Sequence, residues 1–257
     1  MIFKFMVGCS LILLILVIGG YWASKNHKPV AVPLKGIMFS ACVPVVCQMI
    51  LTVSTSEFLS KVIYSVFFIS IEVVLYYFLL FTYEYTSTPR SKAKFLLRGL
   101  MGMDITSLAL NIFTGHVGEC VLKHYSDQNK PYYGMDYGWG YYCHLLLSYA
   151  IVLVIMFLLV RKIAITARIY WIQYFMILGS LLVVVLWNVV YALFSSEVDY
   201  SVLGYAIAGI LVFHFSLNFK PKPIINGLGH AKNFDTLSKD ELLQMLIMPS
   251  SERYFVF

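Results

Sequence analysis

Charge is scarce in this chain: only 12% of its 257 residues are Asp, Glu, Lys or Arg, about half the share of a soluble globular domain. With 60% of the residues hydrophobic, too few polar side chains remain to cover a water-exposed surface. The solvent is therefore expected to be lipid, where a helix can be apolar on every face because its backbone bonds to itself. The formal charge of +6 is scattered among short segments instead of forming a basic block, so no nucleic-acid partner is read. Cysteine is also sparse. Cys9, Cys42, Cys47, Cys120 and Cys143 form no CxxC pair and no zinc spacing, which removes a redox or zinc-ribbon reading. The first three lie in apolar runs and read as packing, whereas Cys120 and Cys143 flank the longest polar loop, as two thiols or as a disulfide.

What the sequence has in plenty is long apolar runs. A bilayer core asks for ~20 residues per helix, and runs of that order occur at Ile2–Tyr21, Gly36–Val53, Val62–Phe81, Phe95–Gly115, Tyr141–Val160, Trp171–Phe194 and Val202–Phe219. The expected fold is all-α, a polytopic seven-helix membrane bundle over 1–219, followed by a cytoplasmic linker over 220–257. The fourth run is the weakest, interrupted by Arg98, Asp104 and Asn111, but without it the flanking basic loops would fall on opposite sides. Lys25, Lys28, Lys35, Arg90, Lys92, Lys94, Arg98, Arg161, Lys162 and Arg168 occupy alternate loops, which places those loops in the cytoplasm. The other segments hold Glu57, Glu119, Asp127, Asp136, Glu197 and Asp199 and are expected outside, together with the N-terminus. A cleaved signal peptide would reverse this charge pattern and lacks an A-x-A site, so the first run is kept as a helix.

The outer loop His116–Gly140 carries PYYGMDYGWGYY, whose Tyr and Trp rings suit the lipid headgroup level or a folded cap over the bundle. Beyond Phe219 the Pro- and Gly-containing KPKPIINGLGHAKNF reads as a linker, and Ser238 with Glu241 has capping-box spacing for a short helix. Arg253–Phe257 is expected to be the first strand of an output domain that the chain does not contain, as a fragment or a truncated product.

Ionisable groups within a bilayer cost ~2.5–3.5 kcal/mol each on insertion scales, so Glu72 and Asp104 need a reason to be there. Asp104, Ser107, Asn111 and Thr114 share one helical face; Tyr141, His144 and Ser148 share another; Trp187, Asn188, Tyr191 and Ser195 cluster on the sixth run. Tracing the chain brings Asn111, His116, His144, Asn188 and Tyr191 to the outer third, beneath Trp139 of the aromatic loop. The candidate ligand-sensing pocket is thus Asp104, Asn111, His116, Trp139, His144, Trp187, Asn188 and Tyr191, with Glu72 as a separate intramembrane carboxylate. Helix glue is the plainer role for any one of them.

Catalysis finds little support. A metal-dependent hydrolase needs several histidines at one depth, yet His116 and His144 are read as outer and His214 as inner, so no metal set and no cofactor is assigned. The seventh run has no Lys for a retinal Schiff base, and Pro44 of the second run has no counterpart in an inverted repeat, which weakens a transporter reading.

The order NIFTGH (Asn111–His116), YGWGYYCH, RIYWIQY, WNVVY (Trp187–Tyr191) and DYSVLGYAIAG (Asp199–Gly209) resembles the N-terminal seven-transmembrane sensory region of bacterial and archaeal histidine kinases and diguanylate cyclases. The resemblance spans about Ile2–Phe219. It implies a non-enzymatic input module in the cell membrane, whose signal leaves through the seventh span to a PAS, kinase or GGDEF output domain. It leaves the small-molecule or envelope stimulus undefined and a homodimer open. No phosphoacceptor His block, ATP-binding Gly box or GGDEF string occurs in this chain.

Overall fold

The structure, a computed structural model, describes residues 2–87, 92–124, 131–166, 171–194 and 201–218. These residues form α1 (Ile2–Ser24), α2 (Ala31–Val53), α3 (Glu57–Tyr85), α4 (Lys92–Thr114), β1 (Gly118–His124), β2 (Pro131–Tyr137), α5 (Trp139–Ile165), α6 (Trp171–Phe194) and α7 (Ser201–Phe213), which continues as a π-helical turn at His214–Asn218. The linker and short helix expected beyond Phe219 lie outside the described residues. Five helices, α1 to α5, are long and apolar enough to cross a membrane; the apolar stretches described in the last two, Trp171–Leu186 and Ala206–Leu217, are shorter.

The helix ends follow local chemistry. At the start of α3 the Ser56 hydroxyl accepts the Leu59 N–H at 3.4 Å, and Glu57 in the first turn meets the positive end of the helix dipole. Pro44, buried within α2, has no N–H to offer one turn back, an omission that a packed interior helix tolerates better than an isolated one.

Packing makes α3 the hub. It lies against α2, α4 and α5 and also touches the strands, while α7 is seated among α6, α2 and α1 and so joins the two ends of the chain. Small residues set the closest approaches: a Cβ on Gly36 of α2 would fall 2.2 Å from Cδ1 of Tyr77 on α3. The core around it includes Phe78, Phe81, Leu79 and Val74 of α3 and Ile37 and Leu34 of α2. Farther along, Tyr85 stacks on Phe81 and its hydroxyl donates to Gln173 Oε1 of α6 at 3.2 Å. By contrast α4 is the least enclosed of the five long apolar helices.

The all-helical expectation is corrected at the segment between α4 and α5. That segment, read as an aromatic loop, contains an antiparallel hairpin pairing Gly118 with Tyr137 through His124 with Pro131. Strand pairing satisfies backbone groups that a loop lying on an apolar bundle could not give to water. The hairpin's root is tightly closed: Gly138 N–H donates to Val117 O at 2.8 Å and Gly140 N–H to His116 O at 3.0 Å. A Cβ on Gly138 would sit 2.4 Å from His116 O, so no larger residue fits that crossing. Tyr64 of α3 donates to Tyr133 O at 3.3 Å, and Tyr137 stacks on Tyr141 with ring centroids 4.0 Å apart, holding the hairpin on the bundle.

Candidate functional site

The polar stripe of α4 is the spine of the site. Asp104, Ser107, Asn111 and Thr114 follow one another at helical spacing, and each reaches a different partner. Asp104 Oδ2 lies 2.7 Å from His144 Nδ1, bridging to the second turn of α5. One turn on, Ser107 Oγ lies 2.8 Å from His116 Nε2, while the Thr114 hydroxyl meets the other ring nitrogen of His116. Asn111, buried, points its Oδ1 at the chain beyond the helix and accepts the N–H of Val117 at 2.7 Å and of Gly118 at 3.3 Å.

Beneath these contacts is a buried constellation from three helices. His144 Nδ1 also stands 3.6 Å from Glu72 Oε1 of α3, and that same oxygen accepts the Ser148 hydroxyl at 2.7 Å. The side chains of Glu72, His144 and Asp104 are 0%, 4% and 11% exposed, so the group opens only on the Asp104 side. Phe68, one turn before Glu72, presents its ring edge-to-face to the imidazole with centroids 5.4 Å apart and fixes its tilt. Glu72 Oε2 is buried with no hydrogen-bond partner. One ligand atom from each of Glu72, Asp104 and His144 lies within 4.8 Å of the other two, close enough to share a proton or hold a cation.

The expected single pocket is thus distributed. Asp104 and His144 meet directly and are joined by Glu72, which had been read as separate. His116 packs against Trp139 with ring centroids 5.4 Å apart, nearer the hairpin. Asn111 serves the hairpin root. Asn188 of α6 is half-buried, and the side chains of Trp187 and Tyr191 lie outside the described residues. The site is one histidine between two carboxylates, a set unlike the several histidines at one depth that a metal-dependent hydrolase needs. The available signal was the pair of unexplained acids, Glu72 and Asp104, with Ser148 one turn from His144 on the same face of α5.

The family model of the N-terminal 7TM region of histidine kinase matches residues 6–220. The chain belongs to this family. It is accordingly a multi-pass membrane protein, and the matched 7TM region is a sensory input region without catalytic chemistry of its own. No curated protein matches the chain. Among the described residues of this histidine-kinase 7TM region, Glu72, His144 and Asp104 form a group able to hold a metal ion or a proton, and the hairpin joins α4 to α5.

Proposed function

We propose that this 7TM region is the signal-input module of a signal-transduction protein, receiving a small-molecule or envelope cue at its hairpin end and passing it through α7 to a cytoplasmic output domain. In this reading all seven helices span the plasma membrane of a bacterium or archaeon, with the N-terminus outside and the C-terminus in the cytoplasm. The output domain in this reading is a PAS, kinase or GGDEF unit. The observation that carries the reading is the series of polar contacts made along one face of α4, Asn111 to the hairpin root, Ser107 to His116 and Asp104 to His144, the last of which also stands beside Glu72 of the hub helix α3. Two further features support it. Helix α7 is packed among α1, α2 and α6, so a shift in the bundle is felt there, and it ends in a π-helical turn, a form that often marks functional segments. A cue can drive such a shift only by binding the two packings unequally.

The test is a fusion of the chain to a kinase or cyclase output with Asn111→Ala, His144→Ala and Asn188→Ala introduced in turn. At least one is expected to lock output high or low at normal membrane abundance; unchanged output in all three would sink the reading. Orientation is tested separately: a cysteine placed at Lys123 should react with a membrane-impermeant reagent in intact cells, and one placed at Lys162 should not.

A further inference from the structure

The buried constellation on α3, α4 and α5 has a feature that helix glue does not require. Two carboxylates stand around one imidazole nitrogen, and one carboxylate oxygen, Glu72 Oε2, is enclosed without any donor. In an apolar interior two acidic groups this close call for a proton on one of them or for positive charge beside them, and among the described residues none of the ion pairs made by Glu72 and Asp104 involves Lys or Arg. We propose that Glu72, Asp104 and His144 bind one first-row divalent cation of the zinc or manganese class.

The donor set decides the class. One imidazole nitrogen and two carboxylates suit Zn²⁺ or Mn²⁺, whereas Ca²⁺ asks for ~6–8 oxygens and Mg²⁺ takes carboxylate oxygens and water in preference to imidazole. A 2+ ion cancels the two carboxylate charges and leaves the cluster neutral. With metal–ligand distances of ~2.1 Å, tetrahedral ligands stand ~3.4 Å apart. The 3.6 Å between His144 Nδ1 and Glu72 Oε1 is already near that spacing. The 2.7 Å between His144 and Asp104 must open as the ion displaces the proton between them, and the lightly enclosed α4 is the element that can yield. Ser148 holds Glu72 Oε1 in place, and Phe68 keeps the imidazole turned toward the acids. Entry is from the Asp104 side, the only one of the three side chains with appreciable exposure. A trapped water could satisfy the orphan oxygen, and a proton could neutralise one carboxyl, but neither would draw all three side chains onto one point as a metal ion does.

This site does not depend on the signalling role, and its test reads metal alone. The full chain, carrying an affinity tag without histidine, is placed in lipid nanodiscs, stripped with a chelator and titrated with Zn²⁺, and separately with Mn²⁺, before bound metal is counted by mass spectrometry. One equivalent per chain is expected, with Ca²⁺ and Mg²⁺ failing to compete at hundredfold excess. Glu72→Gln and Asp104→Asn should each weaken binding at least tenfold, while Cys143→Ser and His124→Ala leave it unchanged. Co²⁺ bound by the unsubstituted protein should show d–d bands of a nitrogen and oxygen site without thiolate charge transfer, a readout that stands even if Glu72→Gln does not fold. The proposal is overturned if the unsubstituted protein retains no equivalent, if Asp104→Asn binds equally well, or if Cys143→Ser abolishes uptake.

Discussion

His144 Nδ1 lies 2.7 Å from Asp104 Oδ2, and this contact ties α5 to α4, two helices with little other contact. A polar bond between membrane helices is worth ~0.6 kcal/mol on average and up to ~1.7. Because both partners are charged or chargeable, the upper part of that range applies here. A double-mutant cycle of Asp104→Ala and His144→Ala, measured by unfolding in mixed micelles, is expected to give a coupling of about 1–2 kcal/mol. A coupling near zero would mean that the two helices are held together by other contacts.

Asn111 makes the root of the hairpin depend on one side chain. Its replacement by Ala leaves the buried N–H groups of Val117 and Gly118 without their acceptor, at a cost of about 1–3 kcal/mol. Hydrogen exchange over Gly118–Tyr137 should accelerate in Asn111→Ala and remain slow in Asn111→Asp, which keeps an acceptor oxygen. Equal protection in both variants would remove Asn111 from this role.

Gly36 sets the distance between α2 and α3. The Cβ of Gly36→Ala would fall 2.2 Å from the Tyr77 ring, so the ring must swing away or the helices must part, at a cost of about 1–3 kcal/mol. Loss of thermal stability in Gly36→Ala, relieved by a second change Tyr77→Ala, is the expected pattern. Without that relief the strain lies elsewhere.

Cys120 offers a pH-dependent check on how the hairpin sits. Burial pushes its thiol up from an ordinary 9.0 to about 11, with Lys61 pulling it down and Glu57 adding to the rise. A raised folded value means that the neutral thiol is the form the fold favours. Its stabilising contribution is therefore complete below pH 9.0 and is lost as the pH rises through about 11. In a Cys143→Ser background, alkylation by a membrane-impermeant reagent should climb about tenfold per pH unit and level off only near the folded value. Levelling already near 9 would show β1 lifted from α3.

Much of the helical layout was legible because a membrane helix writes itself as one continuous apolar run, a local signal that needs no partner. The apolar run Trp171–Phe194 coincides with the helix α6, and the runs beginning at Ile2, Gly36, Val62 and Tyr141 each fall inside a single helix. The hairpin was not legible. Its strands, GECVLKH and PYYGMDY, carry no clean alternation, and only their pairing with each other makes them strands.

The site divides in the same way. Sequence alone singled out all three: Glu72 and Asp104 are costly within long apolar helices, a cost that depends on their own chemistry, and His144 shares a polar helical face with Tyr141 and Ser148. Only the tertiary structure decided that they share one place. Their meeting depends on the rotation of α3, α4 and α5 about their axes, which is set by side-chain packing such as that of Phe68 against the imidazole. Helical spacing places residues on a face, but which faces meet is decided by how neighbouring helices fit.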